Sequence, residues 1–292
     1  MFTIVFLSFH SETHIKRLVS SIKKKYPIII IENSLNIKLK KELEEKYDNV
    51  KVIIPTKNIG ISAGYNLGIR ESKTNFVKLT SADINLTNES LQDLEDCISK
   101  MKIFAILGPT YDDETTYKNY GIWKPEKLTT SFEDKVFEEY KVTEVDFVEN
   151  DFVVNKKDLE DLDFFDEDIF MYYETMDLCK KIRTKNKKIY ACKKIKFTHY
   201  GGSSVNSKFS DLYTLNRSWH YNWSKFYYFK KNFGYFFAIR KIFPNFIRAI
   251  KKMIICKIYG KQKEYLSHKQ ELLGILASIL NKPSSYRPFE IE

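Results

Sequence analysis

The first hundred residues alternate between two hydrophobic periods. Continuous apolar runs at Phe2–Phe9, Ile28–Ile31, Val50–Ile54, Phe76–Leu79 and Ile103–Leu107 predict buried strands. Between them, Thr13–Lys24, Ile37–Tyr47, Ile61–Glu71 and Glu89–Met101 have the length and amphipathic character of helices. A strand with no polar positions needs cover on both of its faces, which an antiparallel sheet with one wet face does not supply. The pattern therefore predicts an α/β fold around a mostly parallel sheet. Such sheets bind ligands beyond the carboxyl ends of their strands, so the residues at those ends carry the functional information.

Farther along, the pattern loosens. Thr110–Thr143 is polar and aperiodic and reads as a long excursion over the site. Val145–Val154 reads as a returning strand, followed by a short helix and an acidic, aromatic segment at Asp161–Asp177. Glu174–Arg183 reads as a helix, and Lys188–Tyr190 and Ile195–His199 as two short strands. After Gly201-Gly202-Ser203-Ser204 the character changes to long, basic, aromatic helices. This divides the chain into a body at 1–204 and a basic helical extension at 205–292.

Charge sharpens that division. The segment from Gly201 to Glu292 holds 16 Lys and Arg against 5 Asp and Glu, leaving 32 basic and 33 acidic residues in the first 200. A neutral body with a basic extension points to an anionic partner for the extension alone. Within it, Ile239, Ile242, Phe243, Phe246, Ile247, Ile250, Met253 and Ile254 recur at three- and four-residue steps. Arg240, Lys241, Arg248, Lys251, Lys252 and Lys257 fill positions between them, with no acidic residue from Arg240 to Lys257. The expectation is a helix over Pro244–Tyr259, with Pro244 in its first turn, lying flat on an anionic membrane surface. A helix buried in a core would show the same stripe. The preceding aromatic run, Trp219 to Phe237, suits interfacial anchoring.

The start, Met1 to Phe9, lacks a basic leader and a cleavage site and reads as a first strand. No stretch of about 18 uncharged apolar residues occurs, so no bilayer span is expected. The four cysteines, Cys97, Cys179, Cys192 and Cys256, are widely spaced without metal-type pairing, which fits a reducing compartment. The expected location is cytoplasmic.

Two familiar nucleotide devices are missing: no Gly-x-Gly-x-x-Gly follows the first strand, and no Gly-x-x-x-x-Gly-Lys-Ser/Thr occurs. A dinucleotide oxidoreductase and a P-loop enzyme are thereby disfavoured. What stands at the strand ends is a series of polar turns. Glu32-Asn33-Ser34 offers a carboxylate and an amide to a base or ribose, or is an Asx-type turn. In Asn58-Ile59-Gly60-Ile61-Ser62-Ala63-Gly64-Tyr65-Asn66-Leu67-Gly68, glycines recur every fourth residue. That spacing serves either close helix–sheet packing or a phosphate at the helix N-terminus. Asp83, in Thr80-Ser81-Ala82-Asp83, is a candidate ligand for a divalent cation gripping a diphosphate, or a turn residue. Glu174 and Asp177, at i and i+3, offer a general base or form an acidic first turn. His199, before a glycine turn, is structural or a metal ligand.

In this order the turns resemble those of a family-2 glycosyltransferase of the GT-A fold, in the branch of rhamnosyl- and galactofuranosyltransferase-like enzymes. The resemblance runs from Thr3 to about Asn232 and into the basic extension. The family's nucleotide loop matches Val5–Glu12, which carries Ser8 and His10, and its uridine or thymidine loop matches Glu32, Asn33 and Ser34. Its Asn-x-Gly-x-x-x-Gly-x-Asn-x-Gly signature matches Asn58, Gly60, Gly64, Asn66 and Gly68. The Asn-Pro-Asp metal motif matches Ser81-Ala82-Asp83, the Phe-Asp-Glu…Glu-Asp-x-Asp-Leu segment matches Phe165 to Leu178, and His-x-Gly-Gly-Ser matches His199 to Ser203. Three departures stand out. The family's usual base is replaced by Thr175, Glu149-Asn150 stands where a Ser-Gly pair is common, and Ser81-Ala82 replaces Asn-Pro.

The resemblance implies an inverting, metal-dependent transferase. Its donor is a UDP- or dTDP-sugar, and its acceptor a hydroxyl of a glycan or lipid-linked oligosaccharide in cell-surface polysaccharide synthesis. Mg²⁺ or Mn²⁺ is expected at Asp83 and His199, with Glu174 or Asp177 as base, and the protein peripheral on the inner face of the plasma membrane. Thr175 leaves open a sugar-nucleotide-binding protein without turnover. The basic extension leaves open a nucleic-acid-binding protein, although no nucleic-acid partner is expected under the main reading.

Overall fold

The computed structural model describes residues 1–101, 103–111, 119–121, 138–149, 151–199 and 209–289. Most of the Thr110–Thr143 excursion, Asn150, the glycine turn after His199 and the side chain of His199 lie outside the described residues. The chain forms two compact units: Met1–Phe165 with Leu178–Ser204, and Asp166–Asp177 with Val205–Glu292.

The first unit begins with β1 (Thr3–Ser8), α1 (Glu12–Ser21), β2 (Ile28–Glu32), α2 (Ile37–Lys46), β3 (Val50–Ile53), α3 (Gly60–Glu71) and β4 (Phe76–Ser81). It continues through β5 (Ile84–Asn85), α4 (Asn88–Met101), β6 (Ile106–Tyr111), β7 (Tyr120–Gly121), β8 (Val142–Glu144), β9 (Phe147–Val148), β10 (Phe152–Asn155) and α5 (Lys156–Glu160). Helix α6 (Glu174–Thr184), which belongs to this unit from Leu178 onward, and strand β11 (Ile189–His199) follow. Among the described residues, β3-β2-β1-β4-β10-β6-β11-β5, with β8 beside β11, make a nine-stranded sheet. Six of the nine strands point the same way, with β10, β5 and β8 antiparallel to their neighbours. The sheet is the mostly parallel one that the unbroken apolar runs predict.

Strand parity divides the core. Phe2, Ile4 and Phe6, with Ile28 and Ile30, pack against Leu18 of α1, Leu39 and Leu43 of α2, and Leu91 and Leu94 of α4. Val5, Ile29 and Ile31 face the other way, against Tyr65 and Ile69 of α3 and Leu178 and Ile182 of α6. Both faces are dry, which is why these strands carry no polar alternation. One charged pair is sealed between β4 and β10. The Lys78 ammonium lies 2.7 Å from Asp151, both fully buried, and 4.4 Å from the Phe197 ring centre. Such a pair costs about as much to dehydrate as it returns, so its effect is to fix the pairing of the two strands.

The structure departs from the pattern at three strands. The fifth starts at Ile106, three residues later than predicted, and runs through Gly108 and Pro109. Ile103 is 80% exposed. β10 pairs with β6 only at Ile106 and Leu107, so Pro109 faces β11 alone, where a residue without an N–H is tolerated. The two short strands predicted around Lys193-Lys194 are one strand, β11, whose register shifts between Cys192 and Lys196. A bulge takes up the polar interruption, and Lys193 and Lys194 donate their N–H groups to Lys141 and Tyr140. The single strand expected over Val145–Val154 is split into β9 and β10.

The second unit is built on α7 (Ser210–Phe233), α8 (Tyr235–Ile258) and α9 (Gln262–Ile279). Gly234, at φ +90°, separates the first two in a conformation that side chains disfavour. Phe226, Ala238, Ile242 and Ile275 form the core, with Phe229, Ile239, Phe246 and Ile279 around it. Helix α8 begins nine residues before Pro244, so the expected first-turn proline is an interior one. The helix tolerates it at the cost of one main-chain hydrogen bond. The predicted single apolar stripe is also divided. Ile242 is buried and Ile239 and Phe246 pack on the core, because α8 closes against its sister helices, whereas Phe243 and Ile254 are exposed. No helix among the described residues is long and apolar enough to cross a membrane.

Candidate active site

Parallel registers bring the ends of distant segments to one edge of the sheet. Ser8 ends β1 opposite Glu32, which ends β2, and Ser81 ends β4 opposite Leu7. The Ser8 hydroxyl donates to Glu32 Oε2, and the Ser34 hydroxyl donates to Oε1. The Ser34 N–H adds a third hydrogen bond at 2.8 Å. The Glu32 carboxylate is therefore buried but held by three donors and aimed by its neighbours. His10 follows at φ +51°, its N–H donating to Ser34 Oγ at 3.2 Å. Burial lowers the pKa of its imidazole, against the opposing pull of Glu32, so the neutral ring is favoured beside this carboxylate.

The Asn-Gly signature resolves into architecture. Asn33 donates to Gly60 O and accepts from the Ile59 N–H, both at 3.2 Å. Asn58 accepts from the Gly60 N–H at 3.0 Å. The N–H groups of Ile59 and Gly60 are thus engaged within the protein, and Gly60 itself sits at φ +81°. A Cβ on Gly64 would lie 2.8 Å from Leu7 Cδ2, and one on Gly68 2.4 Å from Val5 Cγ1. Both glycines let α3 approach β1. Asn66, expected at the cofactor, is buried and binds the main chain of Phe165 reciprocally: Nδ2 donates to Phe165 O, and Phe165 N–H donates to Oδ1, both at 3.0 Å. Of the signature, Gly60 and Asn58 shape the loop at the sheet edge, while Gly64, Asn66 and Gly68 build the core behind it.

Ala82 and Asp83 leave the end of β4, both buried, and the Ser81 hydroxyl donates to Asp83 Oδ1. Antiparallel pairing sets His199, the last residue of β11, opposite Ile84, directly after Asp83. The backbone of His199 thus lies beside the residue that follows Asp83, although His199 and Asp83 are 116 positions apart in the chain. Among the described residues no three His, Cys, Asp or Glu side chains converge as a self-sufficient metal cage. A buried carboxylate at this strand end suits a cation whose remaining ligands come largely from a bound diphosphate or water.

The second unit contains Glu174, Thr175 and Asp177. Tyr172 and Tyr173 immediately before them have φ of +66° and +65°, a left-handed conformation that aromatic residues adopt only under local constraint. Ring contacts hold Tyr173 against Tyr221, Tyr228 and Phe229. Glu174, half-buried, opens α6, where the helix dipole favours a carboxylate. Thr175 is buried. Asp177 is buried too, and both of its oxygens are occupied: Lys231 Nζ lies 2.6 Å from Oδ2 and Asn232 Nδ2 donates to Oδ1 at 2.9 Å. Lys231 also reaches Asp166 at 2.6 Å, which Tyr227 contacts at 3.0 Å, while Ser224 donates to Met171 O at 2.8 Å. Ser224, Tyr227 and Lys231 recur at helical spacing on α7, a polar signal obscured in the sequence by the aromatic residues among them.

The family model for Glycosyl transferase family 2 matches residues 3–162. Over 209 residues the chain is 23% identical to the low-salt glycan biosynthesis hexosyltransferase Agl10 of Haloferax volcanii, covering 68% of this chain and 66% of that relative, just under two thirds of its length. The mannosyltransferase PcManGT from Pyrobaculum calidifontis, in complex with GDP-Man and Mn²⁺, superposes with a TM-score of 0.56 at 9% identity, over 96% of this chain and 87% of that one. GalNAc-T7 with UDP, GalNAc and Mn²⁺ gives 0.56 at 16% identity, over 78% of this chain and 50% of that one. At these identities the likeness bears on the fold, which is the GT-A fold. The family match spans more than half of the sequence, and the chain belongs to glycosyl transferase family 2.

Proposed function

We propose that the protein transfers a sugar, with inversion, from a UDP- or dTDP-sugar to a hydroxyl of a glycan or lipid-linked oligosaccharide in cell-surface polysaccharide synthesis. The observation that carries this reading is the shared sheet edge, where Ser8 and Glu32, Asp83 and the end of β11 at His199 lie at neighbouring strand termini. With its two oxygens engaged by Ser8 and Ser34, Glu32 orders the loop that would meet a base or ribose, and Asn33 holds that loop against α3. PcManGT and GalNAc-T7 are described with nucleotides and Mn²⁺, which supports a nucleoside diphosphate and a divalent cation here. Asp83 and His199 would hold Mn²⁺ or Mg²⁺, which supplies charge neutralisation for a departing diphosphate.

In the transfer, the acceptor oxygen bonds to the anomeric carbon as the bond from that carbon to the diphosphate oxygen breaks. The electron pair leaves with the diphosphate, and the acceptor proton passes to a base. Direct displacement inverts the anomeric centre. Glu174 is assigned as base and Asp177 as a positioning residue, because the Asp177 oxygens are taken by Lys231 and Asn232. A base of this kind contributes about 10²–10⁴ in rate. An acceptor carried on lipid places the protein at the inner, cytoplasmic face of the plasma membrane, peripherally bound.

The test is thermal stabilisation by a panel of UDP-, dTDP- and GDP-sugars with Mn²⁺, Mg²⁺ or chelator. A metal-dependent rise in melting temperature with one nucleotide class, lost in Asp83→Asn with the fold retained, is expected. Unchanged metal dependence in that variant would refute the assignment of Asp83.

A further inference from the structure

Helix α8 has two unlike apolar faces. Ala238, Ile242, Ala249 and Cys256 are buried on one side. On another, Phe236, Phe243, Ile247, Ile250, Ile254 and Ile258 fall within about 40° of a single line along the helix, at 100° per residue. Four of these six are largely in water: Phe236 is 89% exposed, Phe243 57%, Ile254 55% and Ile258 74%. The outward stripe runs for about 33 Å, at 1.5 Å per residue. It is an extended apolar surface of a kind that soluble proteins rarely leave uncovered.

Its borders are cationic. Arg240, Lys251 and Lys257 lie within roughly 60° of the same line, and Lys241, Arg248 and Lys252 lie farther round. Arg248 is engaged by Glu271 of α9 at 3.3 Å and Lys241 lies over the Phe237 ring at 5.4 Å, so Arg240, Lys251 and Lys257 are the cations that border the stripe. No Asp or Glu occurs anywhere in Tyr235–Ile258. At the N-terminal end the exposed rings of Phe233, Tyr235 and Phe237 surround the Gly234 break.

We infer that this face of α8 is a docking surface for an anionic lipid bilayer, the helix lying in the plane of the interface. Charge and shape together select that occupant. A second copy of the chain would oppose two rows of cations with no acids between them. A nucleic acid would neutralise the cations but leave the Phe and Ile side chains in water. An anionic interface satisfies both sets, since headgroups receive the lysines and arginines while the acyl boundary receives the rings and branched chains. The inference rests on the proposed lipid-linked acceptor for its biological purpose, and on α8 alone for its evidence.

Flotation of the full chain with phosphatidylcholine vesicles, with and without phosphatidylglycerol, tests it. Binding is expected only to the anionic vesicles and to weaken as salt rises. Phe243→Ser with Ile254→Ser should reduce binding roughly tenfold or more, as should Lys251→Glu with Lys257→Glu, since apolar burial and surface charge act together. All four side chains are exposed, and unchanged circular dichroism and melting would confirm that the variants fold. Equal flotation with neutral vesicles, no flotation with either, indifference to both variants, or a dimer dissolved by Phe243→Ser would overturn the inference. A chain that floats but is stabilised by no sugar nucleotide would keep this surface and refute the donor reading; the opposite result would do the reverse.

Discussion

The ammonium of Lys231 lies 2.6 Å from the Asp177 carboxylate, and Asn232 donates to that carboxylate's other oxygen at 2.9 Å. The acid that the family motif places three residues after Glu174 is therefore bound by two consecutive residues of α7. A carboxylate so engaged has no free oxygen directed to an acceptor hydroxyl, whatever its position in a motif.

Opposite consequences for the two acids follow. Glu174→Ala is expected to cut turnover by about 10²–10⁴ with little change in melting. Asp177→Ala should chiefly destabilise, leaving Lys231 partly buried opposite Asp166. Lys231→Met should cost about 1–3 kcal/mol, less than the about 3–5 kcal/mol for a fully buried pair, because the Lys231 side chain is one-third exposed. Thr175→Asp restores the family's usual acid at that position and should speed transfer. Turnover rates and urea midpoints measured together separate the roles. A stable Asp177→Ala protein with lost turnover, beside an active Glu174→Ala, would reverse the assignment.

The α/β architecture was readable because strands buried on both faces cannot hide their composition. The sheet-edge loops were readable as an ordered series, but not the division of labour within them. Gly64 and Gly68 look alike as phosphate cradle or packing face until a Cβ is placed against Leu7 and Val5. Asn66 looks like a ligand group until its partner, Phe165, arrives from 99 residues away. The missed features depend on such long-range meetings: Lys231 against Asp177, the bulge that makes β11 one strand, and α8 packing part of its stripe inward. Local periodicity carries no trace of them.

The close approach of α3 to β1 predicts that Gly68→Ala is destabilising although alanine favours helices. Replacing a helical glycine gains up to about 1 kcal/mol in propensity. Here the new methyl group would meet Val5 Cγ1 at 2.4 Å, and Val5 is a fully buried residue of β1 with no room to turn. Overpacking of this kind costs about 1–3 kcal/mol. The steric cost should outweigh the gain in propensity, and a lower urea midpoint at unchanged slope would show it. Val5→Ala in the same chain should recover part of the loss; a Gly68→Ala protein at least as stable as the parent would contradict the packing role.

The second unit should lose stability on mild acidification through His220. This fully buried ring lies 2.9 Å from Ser284 Oγ through Nδ1 and 2.8 Å from Tyr286 O through Nε2. Arg287 Nη1 also lies 3.3 Å from Nε2, and in the neutral ring one nitrogen donates while the other accepts. Burial pushes its pKa down to about 3, with Arg287 adding repulsion and the Tyr286 carbonyl opposing both. Because the folded value lies below the unfolded one of 6.5, the unfolded chain binds the extra proton first. The contribution to stability is complete above pH 6.5 and falls as pH drops toward about 3, by roughly 1.4 kcal/mol per unit. His10, whose pKa is also lowered by burial, adds a loss of the same sign in the first unit. Urea unfolding at several pH values between neutrality and pH 5, for the parent and His220→Gln, isolates the effect. The variant should be weaker at neutral pH but show a shallower decline, and parallel slopes for the two proteins would mean that His220 does not take up the proton on unfolding.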